Sequence, residues 1–167
     1  GAPPPTRKRS ASPTGPAPEG SGGAVTIVDV QAILTQPGSS RLVIVKVVTS
    51  EVGLFGLGCA TYTQRVFAVQ AFIERHLKPF LIGRDVDRIE EIWQMSMVNG
   101  YWRNGPVANN AISGVDQALW DIKGKHLGLP VYELLGGRYR DRVRLHLLLE
   151  HITPDDIADQ ARAGAEA

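Results

Sequence analysis

The chain has 167 residues, of which 43% are hydrophobic, and its 18 Lys+Arg against 17 Asp+Glu leave a net charge of +1. That length and composition suit a domain of ordinary size with a real core, and the near-neutral balance supplies no field for nucleic acid, an acidic substrate or an anionic membrane surface. A single cysteine, Cys59, excludes an internal disulfide framework and fits a reducing compartment, and with no neighbouring base in sequence it reads as structural or exposed.

No apolar run reaches the roughly 18 residues of a membrane helix, and no apolar stretch follows the basic residues near the start as in a secretory signal, so a cytoplasmic location is expected. Both methionines, Met95 and Met97, lie mid-chain, and a processed or partial polypeptide is expected from this.

Residues 1–24 hold six of the eleven prolines and no Val, Leu, Ile, Met or aromatic residue. Such a segment buries too little to offset ordering entropy, and the reading is a disordered tail. Its Arg7-Lys8-Arg9 triplet lacks interleaved aromatics and reads as solvated linker rather than a nucleic-acid footprint.

From Val25 the pattern becomes that of strands. VTIVDVQAIL, a QPGSS turn and the alternating RLVIVKVVTS predict two strands, and LFGLGCATY predicts a third beyond the Glu51-Val52-Gly53 break. Gly56 and Gly58 are expected where a strand curves or another backbone comes close. Their Gly-x-Gly lacks the third glycine and the following helix of a dinucleotide fingerprint.

After Arg65 the apolar period lengthens. Val66, Val69, Phe72, Ile73, Leu77 and Phe80 predict an amphipathic helix closed by Pro79 and Gly83. Asp85 or Asp87 is expected to cap a second helix with Ile89, Ile92, Trp93 and Met97 on its apolar side, stopped by Asn99-Gly100. GYWRNGPV is a loop of the kind that carries function, with Pro106 at a first helical position. The longest helix is expected from Val107 to about Lys125, with Val107, Ala111, Val115, Ala118, Leu119 and Ile122 on one stripe. Gly124, Gly128 and Pro130 stop it, and a VYELL turn brings the chain back. VRLHLLL reads as a buried strand, and Thr153-Pro154 opens a last helix that runs to the end of the sequence.

The titratable groups of the long helix do not assemble a site. Asp121 and Lys123 are two apart and diverge, Asp121 and Lys125 can meet as an ordinary helix pair, and Asp116 and Asp121 are about 140° apart around the axis and cannot share a cation. His76, His126, His146 and His151 have neither metal-ligand spacing nor a triad setting. No catalytic residue and no metal ligand is assigned.

The order of motifs, LGCAT after a meander, YWRNGPV, ALWDIKGK and LPVYELLGG before a strand, resembles the amino-terminal half of the mandelate racemase/muconate lactonizing enzyme group of the enolase superfamily. YWRNGPV and ALWDIKGK are most similar to the D-mannonate dehydratase-like branch, which includes starvation-sensing proteins. The resemblance implies an α+β fold: a three-stranded antiparallel meander followed by a helical bundle over residues 25–140, the enolase-like amino-terminal capping domain, with the first strand and helix of a truncated (β/α)7β barrel over residues 141–167.

The same resemblance implies a Mg²⁺-dependent acid-sugar dehydratase, a hydro-lyase working by proton abstraction next to a carboxylate, whose metal and catalytic residues lie on barrel strands beyond this chain. No metal is expected on the chain itself. Thr63, Gln64, Tyr101, Trp102 and Arg103 are the expected substrate-facing loop residues, and a sugar acid and a second copy in a homo-oligomer are the expected partners. Mannonate dehydratases carry an asparagine where Thr63 stands and a substrate-binding histidine near Leu148, and both departures argue against mannonate itself; His146 or His151 would have to compensate. Lys123-Gly124-Lys125 cannot imitate the superfamily's strand-borne lysine pair from a helix. A noncatalytic interaction module derived from such an enzyme is the other reading.

Overall fold

A computed structural model describes residues 23–144 and 153–166 of the chain. The tail and nearly all of the strand expected at VRLHLLL, with His146, Leu148 and His151, lie outside the described residues. The chain divides into two compact units, one up to Lys123 and one from Gly124 onward.

In the first unit, β1 (Ile27–Thr35), β2 (Leu42–Thr49) and β3 (Phe55–Cys59) form an antiparallel sheet in the order β1-β2-β3. The pairing Ala32↔Val45↔Gly58 and Val30↔Val47↔Gly56 places alternate residues on one face. That face is buried through Val30, Ala32, Val43, Val45 and Val47. The other carries Gln31, Ile33, Lys46 and Leu57, which is the pattern of a sheet covered on one side only. Cys59 falls on this open face, as strand parity requires, and is exposed; its Sγ lies 3.1 Å from Thr61 Oγ1.

The helices cover the buried face. α1 (Val66–Phe72), a π-helical turn (Ile73–Leu77) and α2 (Lys78–Leu81) form a continuous helical segment that buries Val66, Val69, Ile73, Leu77 and Leu81. Pro79 does not close it, as the sequence suggested, but sits inside its first α2 turn. The wide turn just before it is a place where a ring without an N–H can enter a helix. The stop comes at Gly83, with φ +83°. The chain is then stitched to β1: Ile27 N–H donates to Arg84 O at 2.9 Å and Gly83 N–H to Ile27 O at 2.8 Å.

α3 (Ile89–Val98) has Arg88 at its N-cap with no side-chain cap. Neither Asp85 nor Asp87 performs the expected capping; Asp85 Oδ1 instead accepts the Asp87 N–H at 2.9 Å, a local turn that competes with a helix cap. The helix buries Ile89, Ile92 and Ser96, whereas Trp93 is 37% exposed. The apolar side read from the sequence is thus rotated by part of a turn.

α4 (Pro106–Leu127) starts at Pro106 and buries Ala111, Val115, Ala118, Leu119 and Ile122 as the stripe predicted, with Ile112 added. It packs on β3 with almost no space between backbones. A Cβ on Gly56 would lie 1.9 Å from Ala118 O, and one on Gly58 2.0 Å from Gly114 O. The Gly-x-Gly therefore serves helix-on-strand packing, the close-approach role expected of it, and not a phosphate.

The second unit begins in the end of α4, which closes in a Schellman motif: Leu129 N–H donates to Gly124 O at 2.9 Å and Gly128 N–H to Lys125 O at 3.2 Å, with Gly128 at φ +66°. α5 (Val131–Leu134) is the expected VYELL turn. α6 (Pro154–Glu166) opens with a capping box, Thr153 Oγ1 accepting from Asp156 N–H while Asp156 Oδ2 accepts from Thr153 N–H at 3.0 Å. Among the described residues no helix is long and apolar enough to cross a membrane.

Candidate functional site

The meander brings two loops to one end of the sheet, the β1–β2 turn and the segment after β3. Thr63 and Gln64 lie in the second, in a 3₁₀ turn (Thr63–Arg65) that runs straight into α1. Its entry is fixed to the sheet, because Val43 N–H donates to Thr61 Oγ1 at 3.0 Å and Ala60 N–H to Val43 O at 2.9 Å. Its exit is fixed by burial of Val66. The turn itself is closed by Arg65 N–H on Tyr62 O at 2.9 Å, and the Arg65 guanidinium donates to Gln64 O at 2.7 Å. Thr63 and Gln64 are thus presented on short, anchored backbone.

Beside this turn a groove of about 320 Å³ is lined by Leu34, Thr35, Gln36, Arg41, Val66 and Phe67. Gln36 and Arg41 were not singled out from the sequence. The available signal was topological: in a meander the first and third loops share an end, so a site on one recruits the other.

Tyr101, Trp102 and Arg103 occupy the α3–α4 loop. Asn104 at φ +74° and Gly105 at φ +104° turn the chain into α4, a left-handed step that asparagine and glycine tolerate. Tyr101 and Trp102 are both 89% exposed and meet edge to face, with ring centroids 5.2 Å apart and 86° between planes. Trp102 and Arg103 also form the rim of a cavity of about 260 Å³ that runs back between the π-helical turn, α3 and the start of α4.

The five expected residues therefore fall into two groups. Tyr101, Trp102 and Arg103 lie in the α3–α4 loop, and Thr63 with Gln64 belongs to the sheet end; the lining of the Trp102–Arg103 cavity includes neither of the latter.

The carboxylates lead elsewhere. Asp121 Oδ2 accepts from Leu57 N–H at 2.8 Å, and Gln117 Oε1 accepts from Cys59 N–H at 3.1 Å. These side chains, one turn apart on α4, cover the free edge of β3. Asp116 faces α3 beside Ile92, Trp93 and Ser96, and burial, with Glu90 nearby, raises its carboxyl above the usual range. Asp29, by contrast, is held below that range by hydrogen bonds from Lys78 and then Gln31. Among the described residues no three His, Cys, Asp or Glu side chains gather into a cation site. Asp116 and Asp121 face different neighbours, as their spacing required.

A three-stranded meander capped on one face by helices, with exposed loops at its rim, is the architecture of a capping domain of the enolase type. The chain belongs to the mandelate racemase/muconate lactonizing enzyme family, whose amino-terminal domain profile matches residues 24–136. It is 59% identical over 140 residues to the D-galactonate dehydratase family member RspA of Pantoea ananatis, covering 84% of this chain and 34% of that protein. A D-galactonate dehydratase family member of Musicola paradisiaca is 56% identical over the same share of each. Among solved structures, an enolase from Pantoea ananatis with bound D-gluconate and Mg superposes with TM-score 0.78 at 58% identity, over 85% of this chain and 34% of that one. Muconate cycloisomerase from Pseudomonas fluorescens gives 0.74 at 28% identity, over 86% and 40%. The chain thus spans about a third of the length of the curated relatives it matches.

Proposed function

We propose that this chain is the amino-terminal portion of a Mg²⁺-dependent sugar-acid dehydratase of the mannonate/gluconate type, with a tail at 1–24, the capping domain at 25–140 and the beginning of the barrel at 141–167. The observation that carries this reading is the coverage: 84% of the chain matches a sugar-acid dehydratase relative at 59% identity, yet only 34% of the relative is matched. In the whole enzyme, bound Mg²⁺ would stabilise the enolate formed by proton loss next to the substrate carboxylate. The chain's own part is closure and selection.

Thr63 and Gln64 are donors and acceptors on an anchored turn, suited to substrate hydroxyls, and Tyr101, Trp102 and Arg103 supply an aromatic wall and a cation. Binding energy collected by such a lid assists turnover by excluding water and fixing orientation, but it supplies no proton-transfer group. The chain alone is therefore expected to be inactive. The relevant assay compares it with a form extended through the barrel, using a panel of aldonic and aldaric acids with Mg²⁺ in a cytoplasmic-type buffer. Dehydration by the extended form only is the expected result, and turnover by the 167-residue chain would overturn the reading.

A second reading, an interaction or homo-oligomerisation module, is favoured by one observation. Leu127, Leu129, Tyr132, Leu135, Tyr139 and Val143 are all substantially exposed within a short stretch of the second unit, a density of apolar surface that association would cover. Light scattering separates the two, since a strictly monomeric, soluble chain removes this alternative.

A further inference from the structure

The net charge of +1 belongs to the whole chain, but at physiological salt a charge is felt over only about 8 Å, so local grouping decides which partners a surface attracts. Four of the 18 Lys+Arg stand at every second position of RYRDRVR, as Arg138, Arg140, Arg142 and Arg144, and the function proposed above uses none of them. The segment lies in the second unit, outside any helix or strand, and every residue in it is exposed.

Two arrangements bring cations and rings together there. The Arg138 guanidinium donates to Asp141 Oδ1 at 3.2 Å and to the Tyr132 hydroxyl at 2.9 Å, and it lies 5.1 Å from the Tyr132 ring centroid. The Arg140 guanidinium lies 4.9 Å from the Tyr139 centroid, a cation–π contact, yet Tyr139 stays 88% exposed. Asp141 thus offsets Arg138, whereas among the described residues no carboxylate pairs with Arg140, Arg142 or Arg144. Three uncompensated guanidinium groups stand beside one open aromatic face. The Arg7-Lys8-Arg9 triplet has the charge without the ring.

We infer that residues 138–144 form a binding strip for single-stranded nucleic acid, with Arg140, Arg142 and Arg144 on phosphates and Tyr139 stacked on a base. A guanidinium fork pairs with phosphate oxygens, and every base offers a face for stacking, so the strip takes a strand without reading its sequence. A duplex presents groove edges and keeps its base faces stacked inside, which leaves Tyr139 unused. An anionic lipid surface fits less well. Backbone outside a helix or sheet carries N–H and C=O groups that lipid would strip of water, whereas a nucleic-acid strand leaves them wet. The inference goes beyond the proposed dehydratase role and does not depend on it.

The test is the fluorescence anisotropy of a labelled oligothymidylate of about twelve nucleotides, titrated with the 167-residue chain between about 20 and about 200 mM salt. Saturable binding is expected at low salt, weakening with a log–log salt slope of about −2, the value for three neutralised phosphates on a single strand. Replacing the three free arginines together, Arg140→Gln, Arg142→Gln and Arg144→Gln, should weaken binding by about tenfold or more and bring the slope close to zero. Tyr139→Ala should weaken it by about fivefold or more with the slope unchanged, and Tyr139→Phe should bind like the parent, because the ring and not the hydroxyl stacks. All these side chains are exposed, and circular dichroism spectra matching the parent check that each variant folds. No saturable change at low salt, or binding lost instead in Arg7→Gln, Lys8→Gln and Arg9→Gln, overturns the inference. So does Tyr139→Ala binding like the parent, a duplex bound as tightly as the single strand, or stronger retention on vesicles of phosphatidylserine and phosphatidylcholine than on the oligonucleotide.

Discussion

At the scale of single residues, the tightest constraint is the absence of a side chain. Gly58 meets the Gly114 carbonyl oxygen so closely that a Cβ would lie 2.0 Å away, and no rotamer can relieve a clash between one backbone and another. Gly58→Ala is expected to cost about 3 kcal/mol in urea unfolding, at the upper end of overpacking penalties. Cys59→Ala, one residue on and pointing to the open face, should stay within about 0.5 kcal/mol of the parent. Asp116 presents the opposite case. Its carboxyl is raised by burial, so the folded state holds the proton better than the unfolded chain. The stability it contributes is complete at pH below the ordinary carboxylate range and is lost as pH rises through the raised value. Asp116→Asn should therefore raise stability at pH 7 by about 0.5 kcal/mol, a small figure because solvent still reaches the group, and should change little at pH 3. Thermal melts at the two pH values check the sign.

At the scale of elements, the edge of β3 shows how the long helix does two jobs. Its apolar stripe fills the core, while Gln117 and Asp121 reach over the side to accept the Cys59 and Leu57 N–H groups. Asp121→Ala is expected to cost about 1 kcal/mol and to speed amide hydrogen exchange at Leu57 more than at Val47 in the sheet interior. The stripe itself was readable from apolar spacing, because a 3.6-residue period belongs to the sequence. Its edge-covering residues were not: Asp121 was read with Lys125, the one partner that helix geometry offers, whereas Leu57 lies 64 positions away in sequence. The rotated face of α3 has the same origin. Trp93 is more apolar than Ser96, and local pattern ranks it inward, yet Ser96 is buried and Trp93 is 37% exposed.

At the scale of the molecule, every residue of the hydrophobic core among the described residues precedes Lys123. A variant ending at Leu129, which keeps the Schellman stop of α4, is therefore expected to melt cooperatively within a few degrees of the parent by circular dichroism. Loss of the cooperative transition would mean that the second unit supports the first. The surface left by this arrangement is uneven, with the aromatic pair Tyr101 and Trp102 at the loop and the apolar stretch from Leu127 to Val143 both open to solvent.

The sequence by itself determined the meander, the position of α4 and its stop, the cap at Thr153, and the family, because strand alternation, helical period, cap residues and motif order are all local in the chain. Only the tertiary structure decided which side of the sheet Cys59 occupies, which helix backbone meets Gly56 and Gly58, and that neither Thr63 nor Gln64 lines the cavity behind Trp102 and Arg103. Those outcomes depend on which surfaces meet across long sequence separations, and a packing contact between distant residues leaves no periodic trace in either segment.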